Sequence, residues 1–290
     1  MLMYHRVCER NASTRCWFER GTAVTPAALD SQLAWIQERF VVVPLEELHA
    51  PVPGGPQPRV ALTFDDGYVD TLELAAPICA RRGVVATCFA SAGPATGGPS
   101  LWFDAWYSVA HGGLGQPGWD TALRQLGIPD APDIASCVRG PAKRWLASLA
   151  DAARRDILDR LAVALHASLP SGLHLDVEGL RQLRRQGWRV GGHGVDHVRL
   201  SECDAATVTR ELRGSRELLV EVGEDGAMLF AYPDGALSEL VVQAVADEGF
   251  SLACSVRSAP WRDSTACLDV PRLFCRGDDR IPHAALVDAA

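Results

Sequence analysis

Two adjacent carboxylates are the first residues in the sequence that could carry out chemistry. Asp65 and Asp66 follow the apolar run Val60–Phe64 and precede Gly67, in the order Thr-Phe-Asp-Asp-Gly-Tyr. Two neighbouring negative charges in a half-buried place repel each other, so they need an offset such as a cation. Asp-Asp-Gly also makes a good surface turn. The apolar run before the pair favours a site at the end of a strand.

A pair of histidines follows a second apolar run. His193 and His197 are separated by three residues and come directly after Trp-Arg-Val-Gly-Gly. Two imidazoles at this spacing can bind one metal ion, whether the segment is a helical turn or a tight loop. Together with a carboxylate from the aspartate pair they would form a His₂Asp site. Three protein ligands with open positions are typical of a catalytic metal rather than a structural one.

Short apolar runs alternate with helical patterns, and these elements would position the two motifs. The runs are nearly continuously apolar, which is typical of strands covered on both faces. The repeated strand–helix–strand order predicts an α/β fold with a parallel sheet, and seven or eight strands favour a barrel. Both motifs would then lie at the carboxyl ends of strands, where catalytic groups gather. The predicted strands are Leu2–Val7, Val41–Leu45, Val60–Phe64, Val84–Ala90, Arg189–Gly192, Ala227–Tyr232, Ser251–Val256 and Val270–Cys275, and the predicted helices include Tyr68–Arg82, Ala205–Val222 and Ser238–Glu248.

Residues 93–176 break this alternation because they carry only loop and helix patterns. One long helix is predicted to open at Pro141 and to end near Pro170. We interpret residues 93–176 as a mainly helical insertion within a single catalytic domain that spans residues 1–290. The insertion either packs over the core or forms a wall of the active site, since loops at a barrel rim shape specificity.

The composition excludes several classes of protein. Apolar residues make up 48% and charged residues 22% of the chain, which is typical of a globular protein and not of a disordered one. The net charge of −8 argues against a nucleic-acid partner. No apolar run reaches the ~18 residues of a membrane span, and the absence of a leader pattern favours a cytoplasmic location. Nine cysteines without a Cys-x-x-Cys pair predict reduced, mostly buried thiols.

These motifs together resemble the polysaccharide deacetylase family (carbohydrate esterase family 4). The resemblance rests on Thr63–Tyr68, on His193 and His197, and on the block Phe230-Ala-Tyr-Pro-Asp-Gly235. The opening Leu-Met-Tyr-His-Arg-Val is similar to the branch that includes poly-N-acetylglucosamine deacetylases. The resemblance implies a distorted (β/α)₇-type barrel, circularly permuted relative to commoner members. It also implies a metal-dependent hydrolase that removes N-acetyl groups from amino sugars.

The family's functional residues map onto this sequence as follows. Asp65 matches the general base, and Asp66, His193 and His197 match the ligands of one divalent metal ion. Zinc is the expected metal, and cobalt, nickel or manganese would also suit these ligands. Tyr232 and the neighbouring Pro233 would contact the substrate, with a backbone N–H near Tyr232 as a donor to the oxyanion.

The sequence departs from the common family pattern at several positions. The C-terminal strand has no histidine to act as general acid, so we assign this role to His5 at the end of the first strand, with His283 as the second choice. The family often has an arginine at Ala231 that orients the base, and Arg272 would supply this cation instead. Gly194 stands where a serine or threonine is usual, and Asp234 stands where many members have a groove residue.

Aromatic residues of the insertion could bind a sugar ring. Trp102 and Trp106 would stack on the apolar face of the substrate, although packing inside the insertion is the alternative. Trp261 could also line the cleft. The expected substrate is an N-acetylated amino sugar, as a glycoside, an oligosaccharide or a biosynthetic intermediate. The alternatives are deformylation or another amide or imide hydrolysis by the same machinery, and an inactive carbohydrate-binding barrel.

Overall fold

Parallel strands form the centre of the protein, whose computed structural model describes residues 1–48, 58–259 and 267–276. The strands are β1 (Leu2–Tyr4), β2 (Arg6–Val7), β3 (Ala23–Val24), β4 (Val41–Val42), β5 (Arg59–Val60), β6 (Leu62–Phe64), β7 (Thr87–Ala90), β8 (Arg189–Gly192), β9 (Leu229–Ala231), β10 (Leu252–Cys254) and β11 (Leu273–Phe274). The seven-stranded central sheet has the order β10-β9-β8-β7-β6-β1-β11, and all its neighbouring strands are parallel. Two smaller sheets pair β2 with β3 and β4 with β5.

The central sheet is curled, and the segment that leads to β11 connects its two edges. Cys254 at the end of β10 forms an isolated parallel bridge with Val270. The same segment then continues into β11, where Leu273 donates its backbone N–H to Met1 O at 2.9 Å. The distorted (β/α) barrel predicted from the sequence is confirmed.

Two of the predicted strands are each divided between sheets. The predicted strand Leu2–Val7 is interrupted at His5, because β1 pairs within the central sheet while β2 pairs with β3. The predicted strand Val60–Phe64 is interrupted in the same way at Ala61, since β5 pairs with β4. These breaks let the chain leave the central sheet, and the first of them directs His5 away from the strand ladder.

Helices surround the sheet, and a short π-helix over Thr71–Ala75 runs directly into the α-helix Ala76–Arg81. Short 3₁₀ turns cover Leu45–Glu47, Leu200–Glu202 and Pro233–Gly235. Among the described residues, no helix is both long enough and apolar enough to cross a membrane. The helices are α1 (Arg15–Arg20), α2 (Pro26–Gln37), α3 (Ala76–Arg81), α4 (Ala92–Ala95), α5 (Trp102–Gly113), α6 (Trp119–Gln125), α7 (Ile134–Arg139), α8 (Pro141–Ser148), α9 (Asp151–Ala164), α10 (Val177–Arg185), α11 (Ala205–Val222) and α12 (Glu239–Asp247).

The segment 93–176 contains helices α5 to α9, and the single long helix predicted from Pro141 is wrong. The chain is extended at Leu149 and Ala150, which separates α8 from α9. Asp151 opens the second helix, and its carboxylate accepts hydrogen bonds from Arg154 and Arg155 in the next turn. An acid in the first turn stabilises a helix N-terminus, so a new helix starts where the apolar pattern suggested continuity.

The apolar side chains form two large clusters. One lies around the central sheet and its helices, and the other joins the insertion to the first segment of the chain. Trp17 and Ala23 belong to the second cluster together with α5 and α9. All nine cysteine thiols are free and most are buried, as predicted.

Candidate metal centre and active site

The chain turns sharply after β6, and this turn carries the aspartate pair. Asp66 and Gly67 both have left-handed backbones, with φ of 73° and 69°. A Cβ atom on Gly67 would lie 2.9 Å from Cβ of Ala90, so only glycine fits there. The Asp-Asp-Gly sequence is therefore a buried turn at the end of a strand and not a surface turn.

The loop after β8 carries both histidines. Gly194 has a φ of 75° and His197 a φ of 53°, so the loop coils tightly between the two imidazoles. Glu211 of α11 supports this loop from behind: its carboxylate accepts the backbone N–H groups of Val195 and Asp196 at 2.6 and 3.0 Å. The two imidazole rings are brought to 4.8 Å between their centroids.

Asp66, His193 and His197 converge in the interior of the protein. Oδ1 of Asp66 lies 3.4 Å from Nε2 of each histidine, and all three side chains are buried. Nδ1 of His193 lies 2.8 Å from the carbonyl oxygen of Ala231, so it carries the proton and leaves the Nε2 lone pair free. Oδ1 of Asp66 has no hydrogen-bond partner. An unpartnered carboxylate oxygen beside two imidazole nitrogens fits a divalent cation such as zinc.

The electrostatics of Asp66 and His197 agree with a cation site, whereas burial of His193 is outweighed by the neighbouring aspartates, which raise its pKa. Burial raises the pKa of the Asp66 carboxyl, but the neighbouring imidazoles outweigh burial and hold that pKa below its usual range. Burial lowers the pKa of His197 and favours the neutral imidazole that a metal ligand needs.

Asp65 forms a buried ion pair with Arg272. The two guanidinium NH₂ groups donate to the two carboxylate oxygens at 2.6 and 2.7 Å. Arg272 also donates to Thr63 Oγ1 at 3.1 Å and to Ser255 O at 3.1 Å. Burial raises the pKa of the Asp65 carboxyl, but Arg272 outweighs burial, so the pKa is lowered and the carboxylate stays ionised. Arg272 thus makes the contact with Asp65 that the sequence led us to expect of it.

His5 lies between β1 and β2 and lines the same cavity as the metal-ligand set. Its ring packs 5.2 Å from that of Phe274, and its Nδ1 is buried without a hydrogen-bond partner. Burial lowers the pKa of His5, although Asp66 and Asp65 act in the opposite direction.

The cavity that contains these groups has a volume of about 340 Å³. One side is formed by the strand ends of the barrel. The other side is formed by the first segment of the chain, by α5 and by the turn after β9. Its lining includes His5, Asp65, Asp66, His193, His197 and Tyr232 on the first side, and Trp17, Arg20, Phe103, Tyr107 and Asp234 on the second.

The structure does not bring all the predicted substrate-binding residues to the cavity. Trp102 and Trp106 are buried in the cluster of the insertion, where Nε1 of Trp106 donates to Cys137 O at 2.7 Å. These two tryptophans therefore pack inside the insertion, which was the alternative interpretation of them. Phe103 faces the cavity instead, with its ring 5.0 Å from that of His197.

The Tyr232 region differs from the prediction in one respect. Tyr232 is among the residues that line the cavity and Pro233 is buried beside it, but the backbone N–H of Tyr232 donates to Cys254 O at 3.0 Å. This N–H is used within the sheet and is not available to an oxyanion. His283 and Trp261 lie outside the described residues.

Arg20 is a cavity residue that the sequence did not predict. It lines the cavity and binds Asp234, which is 214 positions away in the chain, at 3.1 Å. No local spacing pattern reveals such a contact. The only signal in the sequence is Asp234 itself, an acid at a position where many polysaccharide deacetylases have a different groove residue.

Comparison with known proteins gives a match to one family model. Residues 159–253 match the family model described as polysaccharide deacetylase, a segment that contains both histidines and Phe230–Gly235 but not the aspartate pair. The predicted resemblance to polysaccharide deacetylases is confirmed. No curated protein matches the chain in sequence.

Solved structures of several deacetylases share the fold over nearly the whole chain. The Streptococcus pyogenes deacetylase PplD, in complex with acetate, has a TM-score of 0.63 and 16% identity, covering 99% of this chain and 96% of that one. IcaB from Ammonifex degensii has a TM-score of 0.57 and 17% identity, covering 100% and 96%. A de-N-acetylase from Aggregatibacter actinomycetemcomitans has a TM-score of 0.59 and 14% identity, covering 100% and 98%. At these identities the likeness concerns the fold.

Proposed function

We propose that the protein is a metal-dependent hydrolase that removes the N-acetyl group from an N-acetylated amino sugar and releases acetate. The observation that carries this proposal is one cavity that contains a buried Asp₁His₂ set, an arginine-paired carboxylate and a histidine. The match to the polysaccharide deacetylase model supports it. Two of the structural neighbours are described as a deacetylase with bound acetate and as a de-N-acetylase.

Asp66, His193 and His197 would hold the divalent ion, most suitably zinc, with cobalt, nickel or manganese as alternatives. When bound, such an ion supplies Lewis acidity, which polarises an amide carbonyl and makes water more acidic. The protein contributes the orientation: the Ala231 carbonyl fixes His193, and Glu211 fixes the loop that joins the two histidines.

Asp65 is the general base in this proposal. Arg272 keeps its carboxylate ionised, so it is ready to accept a proton from the attacking water. His5 is the general acid, because its imidazole lies in the same cavity and its unpartnered Nδ1 makes no competing hydrogen bond. It would deliver a proton to the amine that leaves. His5, Asp65, Asp66, His193 and His197 all line one cavity, which supports an active enzyme over an inactive carbohydrate-binding barrel.

The proposal is tested by measuring metal content and acetate release together, on wild type and Asp65→Asn. Substrates are N-acetylglucosamine, its oligomers and N-acetylated glycosides. Asp65→Asn should keep its metal and lose roughly 10²–10⁴-fold in kcat, because a general base contributes about that much. Asp247→Asn, at an exposed site on α12, is the matched control.

Each other outcome has a definite meaning. Release of formate from N-formylated sugars, without release of acetate from any N-acetylated sugar, would favour the deformylase alternative. Bound metal without hydrolysis of any sugar amide would reject the proposed substrate class. A protein that binds no divalent ion would contradict the assignment of Asp66, His193 and His197.

A further inference from the structure

Three separate segments of the chain meet at the guanidinium of Arg20. Arg20 ends α1 and donates from one NH₂ group to Oδ1 of Asp234 at 3.1 Å. Its other NH₂ group donates to the hydroxyl of Tyr107 on α5, at 3.3 Å. Lys143 of α8 also donates to this hydroxyl. We call Arg20, Asp234 and Tyr107 the arginine clamp.

The arginine clamp is part of the cavity wall next to the candidate metal centre. Its three residues line the cavity, and so does Phe103, whose ring lies 5.0 Å from that of His197. The Arg20 guanidinium carbon lies 5.8 Å from the centre of the Phe103 ring. The clamp therefore borders the position that a substrate would occupy beside His197.

The clamp presents fixed polar groups to this position. A guanidinium has five N–H donors. Each NH₂ group of Arg20 makes one of the hydrogen bonds described above, so each still has a second N–H that can donate to a ligand. The Arg20 and Asp234 side chains remain 30% and 26% exposed, so both can still bind a ligand. Sugar hydroxyl groups donate and accept hydrogen bonds, and a held arginine–carboxylate pair offers both partners at once.

Asp234 is held in an unusual backbone conformation. Its φ of 52° is left-handed, which is unfavourable for a residue with a Cβ atom. The residue before it is the buried Pro233, and the next N–H, that of Gly235, donates to Tyr232 O at 2.8 Å. The turn is thus fixed from both sides. Strained positions of this kind concentrate at ligand sites, where the surrounding structure maintains them.

We propose that the arginine clamp determines substrate specificity by binding hydroxyl groups of the sugar unit that carries the acetamido group. The cavity of about 340 Å³ is near the lower end of the ~300–1,000 Å³ range of small-molecule sites. A site of this size suits a single sugar unit, so the enzyme acts on a small glycoside or a chain end. This inference rests on the proposed function, whose site it refines.

The experiment measures binding of a ligand that is not turned over, the methyl glycoside of glucosamine, to the metal-loaded enzyme by titration calorimetry. Arg20→Ala should weaken its Kd roughly tenfold or more, because hydrogen bonds to a charged group are lost. Arg20→Lys should recover only part of this loss, since lysine cannot reproduce the planar fork. Arg15→Ala, on the same helix with a side chain 63% exposed, should leave the Kd unchanged.

Two further readouts separate a specificity role from a structural one. The metal content and the melting temperature of Arg20→Ala should match those of wild type. The glucosamine pentamer should bind wild type no more than a few-fold more tightly than the methyl glycoside does. A Kd that Arg20→Ala leaves unchanged, or a pentamer that binds tenfold or more tightly, would overturn the inference.

Failure of this inference and failure of the proposed function give different results. If sugar binding depends on Arg20 but no sugar releases acetate, the arginine clamp is a sugar-binding site and the proposed deacetylase activity is wrong. If internal units of a long oligomer release acetate and Arg20→Ala does not change this rate, the proposed deacetylase activity holds and the role of the arginine clamp in specificity is wrong.

Discussion

At the scale of single residues, Asp65 and Arg272 depend on each other. Arg272 is completely buried and donates to Asp65 with both of its NH₂ groups. A buried charge without a partner is strongly unfavourable, and the two charges remove this cost for one another. Because the guanidinium also donates to Thr63 and Ser255, its position is fixed before any substrate binds.

We therefore expect Arg272→Met to lower the free energy of unfolding by ~3–5 kcal/mol at pH 7, since it leaves a buried carboxylate unpaired. The pKa of Asp65 lies below its unfolded value of ~3.9, so the pair stabilises the fold above that pH and loses this effect as the pH falls. In the variant, burial without Arg272 raises the pKa of Asp65, so the unpaired carboxylate is protonated more easily than in wild type. The difference between variant and wild type should therefore be smaller at pH 3.5 than at pH 7.

Urea unfolding at pH 7 and at pH 3.5 checks this prediction. The control is Arg257→Met, which removes an arginine that is 57% exposed and pairs with Asp269. Exposed pairs contribute ~0–1 kcal/mol, so this variant should differ little from wild type at either pH. A loss in Arg272→Met that does not change with pH would mean that it reflects packing and not the charge of Asp65.

The sequence could predict that Asp66, His193 and His197 come together, but it could not predict the cavity wall. Parallel strand ends meet at one rim, so motifs after β6 and β8 had to come together. On α5, however, side chains four residues apart share a face. Trp102 and Trp106 occupy one face and pack inward, while Phe103 and Tyr107 occupy the next and line the cavity. The sequence shows the aromatic cluster but not which face meets the barrel.

At the scale of elements, α11 and the loop before it act as one unit. The sequence predicted this helix with the bounds that the structure has, and the structure shows Asp204 as its N-cap and Gly223 as its C-cap. The contact that the sequence could not reveal is Glu211. This acid on the buried face of the helix binds the backbone of the histidine loop.

Glu211→Gln should weaken metal binding about 10–100-fold, as expected for a residue that orients ligands. Both backbone N–H groups of the loop donate to Oε2 of Glu211, while Oε1 pairs with Arg210 at 2.7 Å. A glutamine would turn its NH₂ group either toward the loop N–H groups or toward the Arg210 guanidinium, and donors face donors in both cases. The measurement is a chelator competition titration with zinc. Glu217→Gln, an exposed position on the same helix, should leave the zinc affinity unchanged. An equal affinity for both variants would show that the loop holds its shape without Glu211.

Gly194→Ser restores the residue type that the family usually has between the histidines, and we expect it to weaken zinc binding rather than strengthen it. The φ of 75° disfavours any residue with a Cβ atom, and this atom would lie 2.8 Å from Oε2 of Glu211. The same chelator titration tests the expectation. The control is Gly115→Ser, at a glycine that also has a positive φ but has no atom within 4 Å of its Cβ position, and this variant should leave the zinc affinity unchanged. Tighter zinc binding by Gly194→Ser would contradict the steric argument.

At the scale of the whole molecule, the insertion and the barrel share buried structure. Asp104 of α5 is buried and accepts hydrogen bonds from Trp17 Nε1 and from the Tyr68 hydroxyl, both at 2.9 Å. His174 lies 3.3 Å from the same carboxylate, and the ring of Tyr68 stacks on that of His174. Trp17 comes from the first segment of the chain and Tyr68 from the turn after β6, so one carboxylate connects both parts to the insertion.

Asp104→Ala should lower the free energy of unfolding by ~3 kcal/mol or more, because buried donors lose their acceptor at ~1–3 kcal/mol each. Since the apolar cluster of the insertion includes Trp17 and Ala23, the insertion should not unfold by itself. Tryptophan fluorescence and far-ultraviolet circular dichroism should give one coincident urea transition, in wild type and variant alike. Asp156→Ala, whose side chain is 65% exposed on α9, should unfold as wild type does. A fluorescence transition at a different urea concentration from that of the circular dichroism transition would show that the insertion folds separately. The side of the cavity that the insertion forms could then detach while Asp66, His193 and His197 stay in place.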